Sequence, residues 1–182
     1  MRYSTQDIID GWISFALERV EKGWSPYLVT FMFNQLHGSL QSVARQMDHE
    51  VERTYAKHAT RIIRNMNRPS SVGRRPVWIC SVDYPVKKHV KTSLRDAIVN
   101  GGRHMHSATF LPPASRMPED LATHFDEQRG LYMPRGCALA RIDVEPITHD
   151  LENVVDYVLK GLRSARSIDD NVLILPRVSS EM

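Results

Sequence analysis

Cysteine is almost absent: the 182 residues include only Cys80 and Cys137, with no Cys-x-x-Cys pair. That excludes a disulfide framework and a four-cysteine zinc site, and a reducing cytoplasm is the expected setting. No apolar run approaches the roughly 18 residues a bilayer span needs, so no membrane partner is expected. The Gly-x-x-x-x-Gly-Lys-Ser/Thr loop of nucleotide-driven motors is missing, as are internal repeats and low-complexity tracts. The N-terminal stretch carries Asp7, Asp10 and Glu18 among its apolar residues, which reads as an amphipathic helix and not as a secretory leader.

What is present is an ordinary globular balance, 42% apolar and 25% charged, in a length that suits one domain over residues 1–182. The net charge of +3 leans towards anionic partners without selecting one. From Thr5 to Lys22 apolar residues recur at helical spacing, with Gly23 as a stop. Tyr27 to Phe33 is a β-branched and aromatic run that reads as a strand. Gly38 and Ser39 open a longer helix whose stripe runs from Leu40 through Val43, Met47, Val51, Tyr55 and Ile62 to Met66. Residues 69–76 are loop by composition, Val77 to Val82 is strand-like, and Val90 to Val99 reads as a short helix ended by Gly101-Gly102.

Arg103 to Leu111 alternates as a strand, and Pro118 to Gln128 reads as a helix starting near Ser115 or Met117. Cys137 to Glu145 is a further strand, with Ala138, Ala140, Ile142 and Val144 on one face and Arg141, Asp143 and Glu145 on the other. A last helix runs from Asp150 to about Ser164, and residues 171–176 fit either a strand or an apolar tuck. The expected class is α+β, with a central, mostly antiparallel sheet of about four to five strands and flanking helices.

Three groups of residues carry chemistry. His104 and His106 lie two apart on a strand, so both imidazoles project from one face, at a separation suited to one metal ion, while Met105 and Ser107 face away. Two histidines hydrogen-bonded on a sheet surface would give the same pattern. Tyr157 and Lys160 lie one turn apart on the last helix, where the lysine can lower the phenol's pKa or balance charge on an attacked phosphate. A part-buried tyrosine beside a snorkelling lysine is the bland alternative. Arg53, Lys57, Arg61, Arg64 and Arg68 follow one another at spacings of 4, 4, 3 and 4 along one side of the long helix. From Arg53 to Arg75 there are seven Lys or Arg and no acidic residue. Phosphate neutralisation, as in DNA binding, is one use of such a stripe, and a solvated helix face is the other.

In this order, a β-branched strand over residues 28–33, a strand with His104-Met105-His106 and a helix with Tyr157 to Lys160 resemble the three motifs of the HUH endonucleases. The single tyrosine is similar to that of the rolling-circle replication initiators of phages and plasmids, or of single-tyrosine transposases, and the likeness covers about residues 27–165. It implies that a central strand presents His104 and His106 to one Mg²⁺ or Mn²⁺ and that a helix brings up Tyr157. Asp83 best fills the place of the family's third ligand, with Glu145 and Asp96 as alternatives. Asn153 stands one turn before Tyr157, so the site is a one-tyrosine site.

The implied activity is metal-dependent nicking and joining of single-stranded DNA or a hairpin origin, through a 5′-phosphotyrosine link and a free 3′-hydroxyl, with Lys160 assisting. A helicase would be supplied in trans, and oligomeric state is left open. A non-catalytic DNA-binding module on the same scaffold is the alternative, needing the cationic helix but neither Tyr157 nor the metal.

Overall fold

A computed structural model describes residues 4–66, 68–83, 99–163 and 172–177. Five strands form one antiparallel sheet: β1 (Ser25–Phe33), β2 (Val77–Asp83), β3 (His104–Leu111), β4 (Leu139–Pro146) and β5 (Leu173–Leu175). Their order across the sheet is β4-β1-β3-β2-β5, which makes β3 the central strand. The helices are α1 (Thr5–Glu21), α2 (Leu40–Ile62), α3 (Leu121–Glu127), α4 (Arg129–Tyr132) and α5 (Leu151–Val158), the last continued by a 3₁₀ segment, Leu159–Arg163. The α+β class with a mostly antiparallel sheet is therefore the observed one. Among the described residues, no helix is long and apolar enough to cross a membrane.

Strand alternation sorts the core into two layers. Val29, Phe31, Phe33, Trp78, Cys80 and Met105 face α2, where Val43, Met47, Val51 and Tyr55 meet them. Val77, Ile79, Ala108 and Phe110 face the other way, onto Ile9 and Ala16 of α1 and Val155, Val158 and Leu159 of the last helix. Trp78, Phe31 and Phe110 are wholly buried, and each such side chain contributes roughly 1.5–3 kcal/mol on removal from water. α1 begins where the Ser4 hydroxyl accepts from the Asp7 N–H while the Asp7 carboxylate accepts from the Ser4 N–H, a reciprocal cap.

Several expected boundaries move, each for a visible reason. α2 stops at Ile62 and does not reach Met66, because Ile63 turns extended (φ −125°, ψ 126°). The Ser71 hydroxyl and the Arg75 guanidinium then take the Asn65 and Met66 carbonyls, so the chain there has partners outside a helix. α3 starts at Leu121, because the Asp120 carboxylate accepts from the Ala122 and Thr123 N–H groups and makes a better cap than Ser115 or Met117. In β4 the register jumps between Met32 opposite Arg141 and Phe33 opposite Leu139. This bulge leaves Ala140 exposed and buries Leu139, reversing the expected faces at that end. The last helix gives up α geometry after Val158, and the C-terminal apolar run is an edge strand beside β2. The helix expected over residues 90–99 lies almost wholly outside the described residues, as does Asp96.

Candidate active site

Register alone brings the first three groups together. Asp83 stands directly opposite His104, and Ser81 opposite His106, across the β2–β3 pairing. Thr30 stands opposite His106 from β1. Side chains directly opposite one another share a face, so Thr30, Asp83, His104 and His106 all project towards the α1 and α5 layer. The 20 residues between Asp83 and His104 do not disturb this, since the strands they join are in register.

The turn before β3 prepares His104. Asn100, Gly101 and Gly102 are all left-handed, with φ of 52°, 63° and 77°, and this aims the Gly102 carbonyl back at the histidine ring. His104 Nδ1 donates to that carbonyl at 3.0 Å. A carbonyl only accepts, so the neutral ring carries its proton on Nδ1 and presents Nε2 as a lone pair. Burial keeps His104 below the ordinary histidine range, against the opposing pull of the Gly102 carbonyl, and a neutral imidazole is the form that binds metal. His106 shares a hydrogen bond with the Thr30 hydroxyl through Nδ1 at 3.0 Å. Its Nε2 lies 3.0 Å from His104 Nε2.

Tyr157 arrives from α5 and Lys160 from the 3₁₀ segment that follows. Gly161 allows the segment to lie close to β2: a Cβ there would meet the Ser81 hydroxyl at 3.4 Å. The Tyr157 hydroxyl donates to Asp83 Oδ2 at 3.0 Å and lies 3.3 Å from His106 Nε2. Lys160 Nζ bonds the same carboxylate oxygen at 2.7 Å and sits 3.8 Å from the centre of the Tyr157 ring. Asp83 and His106 are buried, whereas Tyr157 is 41% exposed.

Charge in this cluster is unevenly shared. Burial by itself pushes Asp83 up, but hydrogen bonds from His106, Lys160 and Tyr157, with the lysine's charge, hold it well below the usual carboxylate range. Burial favours the neutral form of Lys160, yet the Asp83 carboxylate outweighs it and keeps the ammonium charged. Tyr157 is pushed up by burial and by the Asp83 charge, and the opposing lysine does not overcome them. Lys160 thus pulls the phenol in the expected direction, but its principal partner is Asp83.

Asp83, His104 and His106 each offer a ligand atom within 4.8 Å of the other two. Two further features fit a cation. Two imidazole nitrogens 3.0 Å apart hold a proton or a metal between them, and Asp83 Oδ1 is buried with no hydrogen-bond partner among the described residues. The outer nitrogens are held by Gly102 and Thr30, the type of support that orients metal-binding histidines. The cluster can hold a metal ion. Glu145 is elsewhere: it is exposed on edge strand β4, opposite Leu28, away from the histidines.

The five cations do not form one stripe. Arg53 bonds Glu50 and donates to the Tyr132 carbonyl at 3.0 Å, and Lys57 donates to the Leu131 carbonyl at 2.6 Å. These two satisfy carbonyls at the end of α4. Arg61 is exposed on the last turn of α2, and Arg64 and Arg68 lie beyond the helix, in the loop after it. Thr30 and the Gly102 carbonyl are site components that sequence reasoning missed. The only signal for Thr30 was a hydroxyl in the middle of an otherwise apolar strand.

Comparison with protein-family models, with curated proteins and with solved structures finds no match.

Proposed function

We propose that this chain nicks and rejoins single-stranded DNA through a covalent tyrosine link, the reaction of the single-tyrosine HUH endonucleases that initiate rolling-circle replication. The observation that carries the reading is the Tyr157 hydroxyl lying 3.0 Å from Asp83 and 3.3 Å from His106. Those partners are 74 and 51 positions away along the chain, and a tyrosine that only filled space would have no need of a carboxylate and an imidazole at its hydroxyl and an ammonium beside its ring.

In the proposed reaction the Tyr157 oxygen attacks the phosphorus of a phosphodiester. The P–O3′ bond breaks, the 5′-phosphate remains on the tyrosine, and the departing oxygen takes a proton from solvent to become a 3′-hydroxyl. The phenolic proton has an acceptor in place, Asp83 Oδ2. Lys160 offsets negative charge beside the ring, and the partial exposure of Tyr157 admits a strand. A divalent ion held by Asp83, His104 and His106 would act as a Lewis acid on a non-bridging phosphate oxygen. Two imidazoles with one carboxylate suit Mn²⁺ better than Mg²⁺, whose usual ligands are all oxygen.

The test is a denaturing gel of the protein with 3′-labelled, sequence-randomised single strands and Mn²⁺. Nicking leaves the labelled downstream fragment on the protein, so a slow covalent band is expected. Tyr157→Phe should abolish it while DNA retention persists, and chelator should do the same to wild type. A Phe variant that still forms the band would end the assignment. Retention with no band from the wild type would favour a non-cleaving DNA-binding module.

A further inference from the structure

We propose that four arginines gathered just past the end of α2 form a second anion site, one that takes adjacent phosphate groups and is separate from the Tyr157 centre. Arg64, Arg68, Arg74 and Arg116 line an open cavity of about 610 Å³ together with Asn65 and Ser71. All four arginines are exposed, and no carboxylate lines the cavity. Among the described residues, none of the four guanidiniums is paired with an acidic side chain.

The cavity has a braced frame. The Ser71 hydroxyl donates to the Asn65 carbonyl at 2.5 Å, and the buried Arg75 donates to the Met66 carbonyl at 2.5 Å. The Arg116 N–H donates to the Ile62 carbonyl at 3.1 Å, which ties a segment over 50 residues downstream to the end of α2. These bonds take up the carbonyls of Ile62, Asn65 and Met66, and the charged side chains at the cavity are all cationic. The Arg75 side chain is held within the frame, and the other four supply the charge.

Chemistry selects the ligand class. Guanidinium forks match phosphate oxygens two at a time, and four like charges around one concavity repel until an anion offsets them. One monoanion leaves most of that charge unopposed, whereas neighbouring phosphates of a strand or a polyphosphate balance it. The place in the fold separates this site from the tyrosine. The loop carrying Arg74 leads into β2 at Val77, and Asp83 closes the other end of that strand, six residues or about 20 Å away. The cavity also borders Ile62 and Ile63, which pack in the α2 layer, on the sheet face opposite Tyr157. Phosphates held here are not the one under attack. The site rests on the proposed function only for the source of the phosphates, a flanking stretch of the same DNA, and not for their recognition.

The test uses the full chain in chelator, so that no covalent product forms. The probes are a labelled, randomised single strand of about 20 nucleotides and inorganic tripolyphosphate, titrated between about 50 and 200 mM salt. Arg68→Gln with Arg116→Gln should weaken strand binding about tenfold at the low-salt end and flatten the log–log salt slope by roughly 1.4 units, about 0.7 for each lost contact. Tripolyphosphate should displace the strand from wild type and bind the double variant poorly. Both variant positions are exposed, and an unchanged circular dichroism spectrum and melting curve establish that the variant is folded. An unchanged slope together with equal tripolyphosphate binding by both proteins overturns the site. Tripolyphosphate binding lost in the variant with the strand's slope unmoved upholds the site and identifies a free polyphosphate as its ligand. No covalent product forms in chelator and tripolyphosphate offers no strand to nick, so failure of the covalent-band test and failure of this one are distinguishable.

Discussion

The Tyr157 hydroxyl donates to Asp83 Oδ2 at 3.0 Å, closing a bond between residues 74 positions apart. The same oxygen takes Lys160, and the carboxylate borders both histidines. Asp83 is therefore where the Tyr157 phenol, the proposed nucleophile, and the candidate cation site meet. The phenol and the ammonium hang on this carboxylate from the helical side, and the imidazoles face it from β3. Removing the phenol should leave the cation's ligands in place, and removing an imidazole should not.

That distinction is measurable without any activity. An ion present at about 100 times its dissociation constant stabilises the fold by about 2.7 kcal/mol. For a chain of this length that corresponds to a rise of about 5–10 °C in melting temperature. We expect Mn²⁺ to produce such a rise in wild type and in Tyr157→Phe, and His104→Ala or His106→Ala to lose it. A wild-type melting temperature indifferent to both Mn²⁺ and Mg²⁺ would remove the metal from the site.

Thr30 should matter to the metal without touching it. Its hydroxyl holds His106 Nδ1 at 3.0 Å, and loss of such outer support typically costs 10–100-fold in metal affinity. Thr30→Val keeps the shape and removes the bond, so titration calorimetry with Mn²⁺ should show a loss in about that range. Thr30→Ser should restore most of the affinity. Equal affinities for wild type and the Val variant would make the threonine a packing residue.

The left-handed turn before β3 is a further lever. Asn100 is buried at φ 52°. Its side chain accepts from the Leu36 N–H at 2.8 Å and donates to the Asn34 carbonyl at 3.0 Å, tying the end of β1 to the start of the histidine strand. Asn100→Gly keeps the backbone freedom and loses these bonds together with a longer one from Gln35 Nε2, which should cost about 1–3 kcal/mol in urea unfolding. Asn100→Ala adds a left-handed penalty of about 1–2 kcal/mol. An Ala variant as stable as the Gly variant would show that the turn relaxes into another conformation.

Much of this was readable in the chain. Period-two alternation located β3 and showed that His104 and His106 share a face, and helical periodicity brought Tyr157 and Lys160 to one side. Other features were hidden for physical reasons. Ile62 and Ile63 are equally apolar, so composition could not show that the helix ends between them. The β4 bulge exchanges Ala140 for Leu139, and nothing in an alternating run marks an extra residue. Helical spacing placed Arg53 and Lys57 among the cations, but whether a cation meets solution or a neighbour's carbonyl depends on where α4 packs. Thr30 became visible only when register set it opposite His106.

His58 supplies a test of the core against pH. It is wholly buried, with ring contacts to Trp78, His124 and Phe125, and neither ring nitrogen has a hydrogen-bond partner among the described residues. Burial, reinforced by His124, takes its pKa down from 6.5 to about 3. The native ring therefore stays neutral down to about pH 3, while the unfolded chain takes up a proton near pH 6.5. Between those values the unfolded state binds more protons, so His58 makes stability fall as pH is lowered, by up to ~1.4 kcal/mol per pH unit for one proton. His58→Phe puts an apolar ring beside Trp78 and Phe125 and removes that proton. Its urea-unfolding free energy should decline less steeply than wild type between about pH 6 and pH 4 and run parallel to it above pH 7. Asp48, which burial pushes up to about 6, titrates in both proteins and cancels in the difference. Parallel curves down to pH 4 would mean that the buried imidazole has found a way to accept its proton without unfolding the chain.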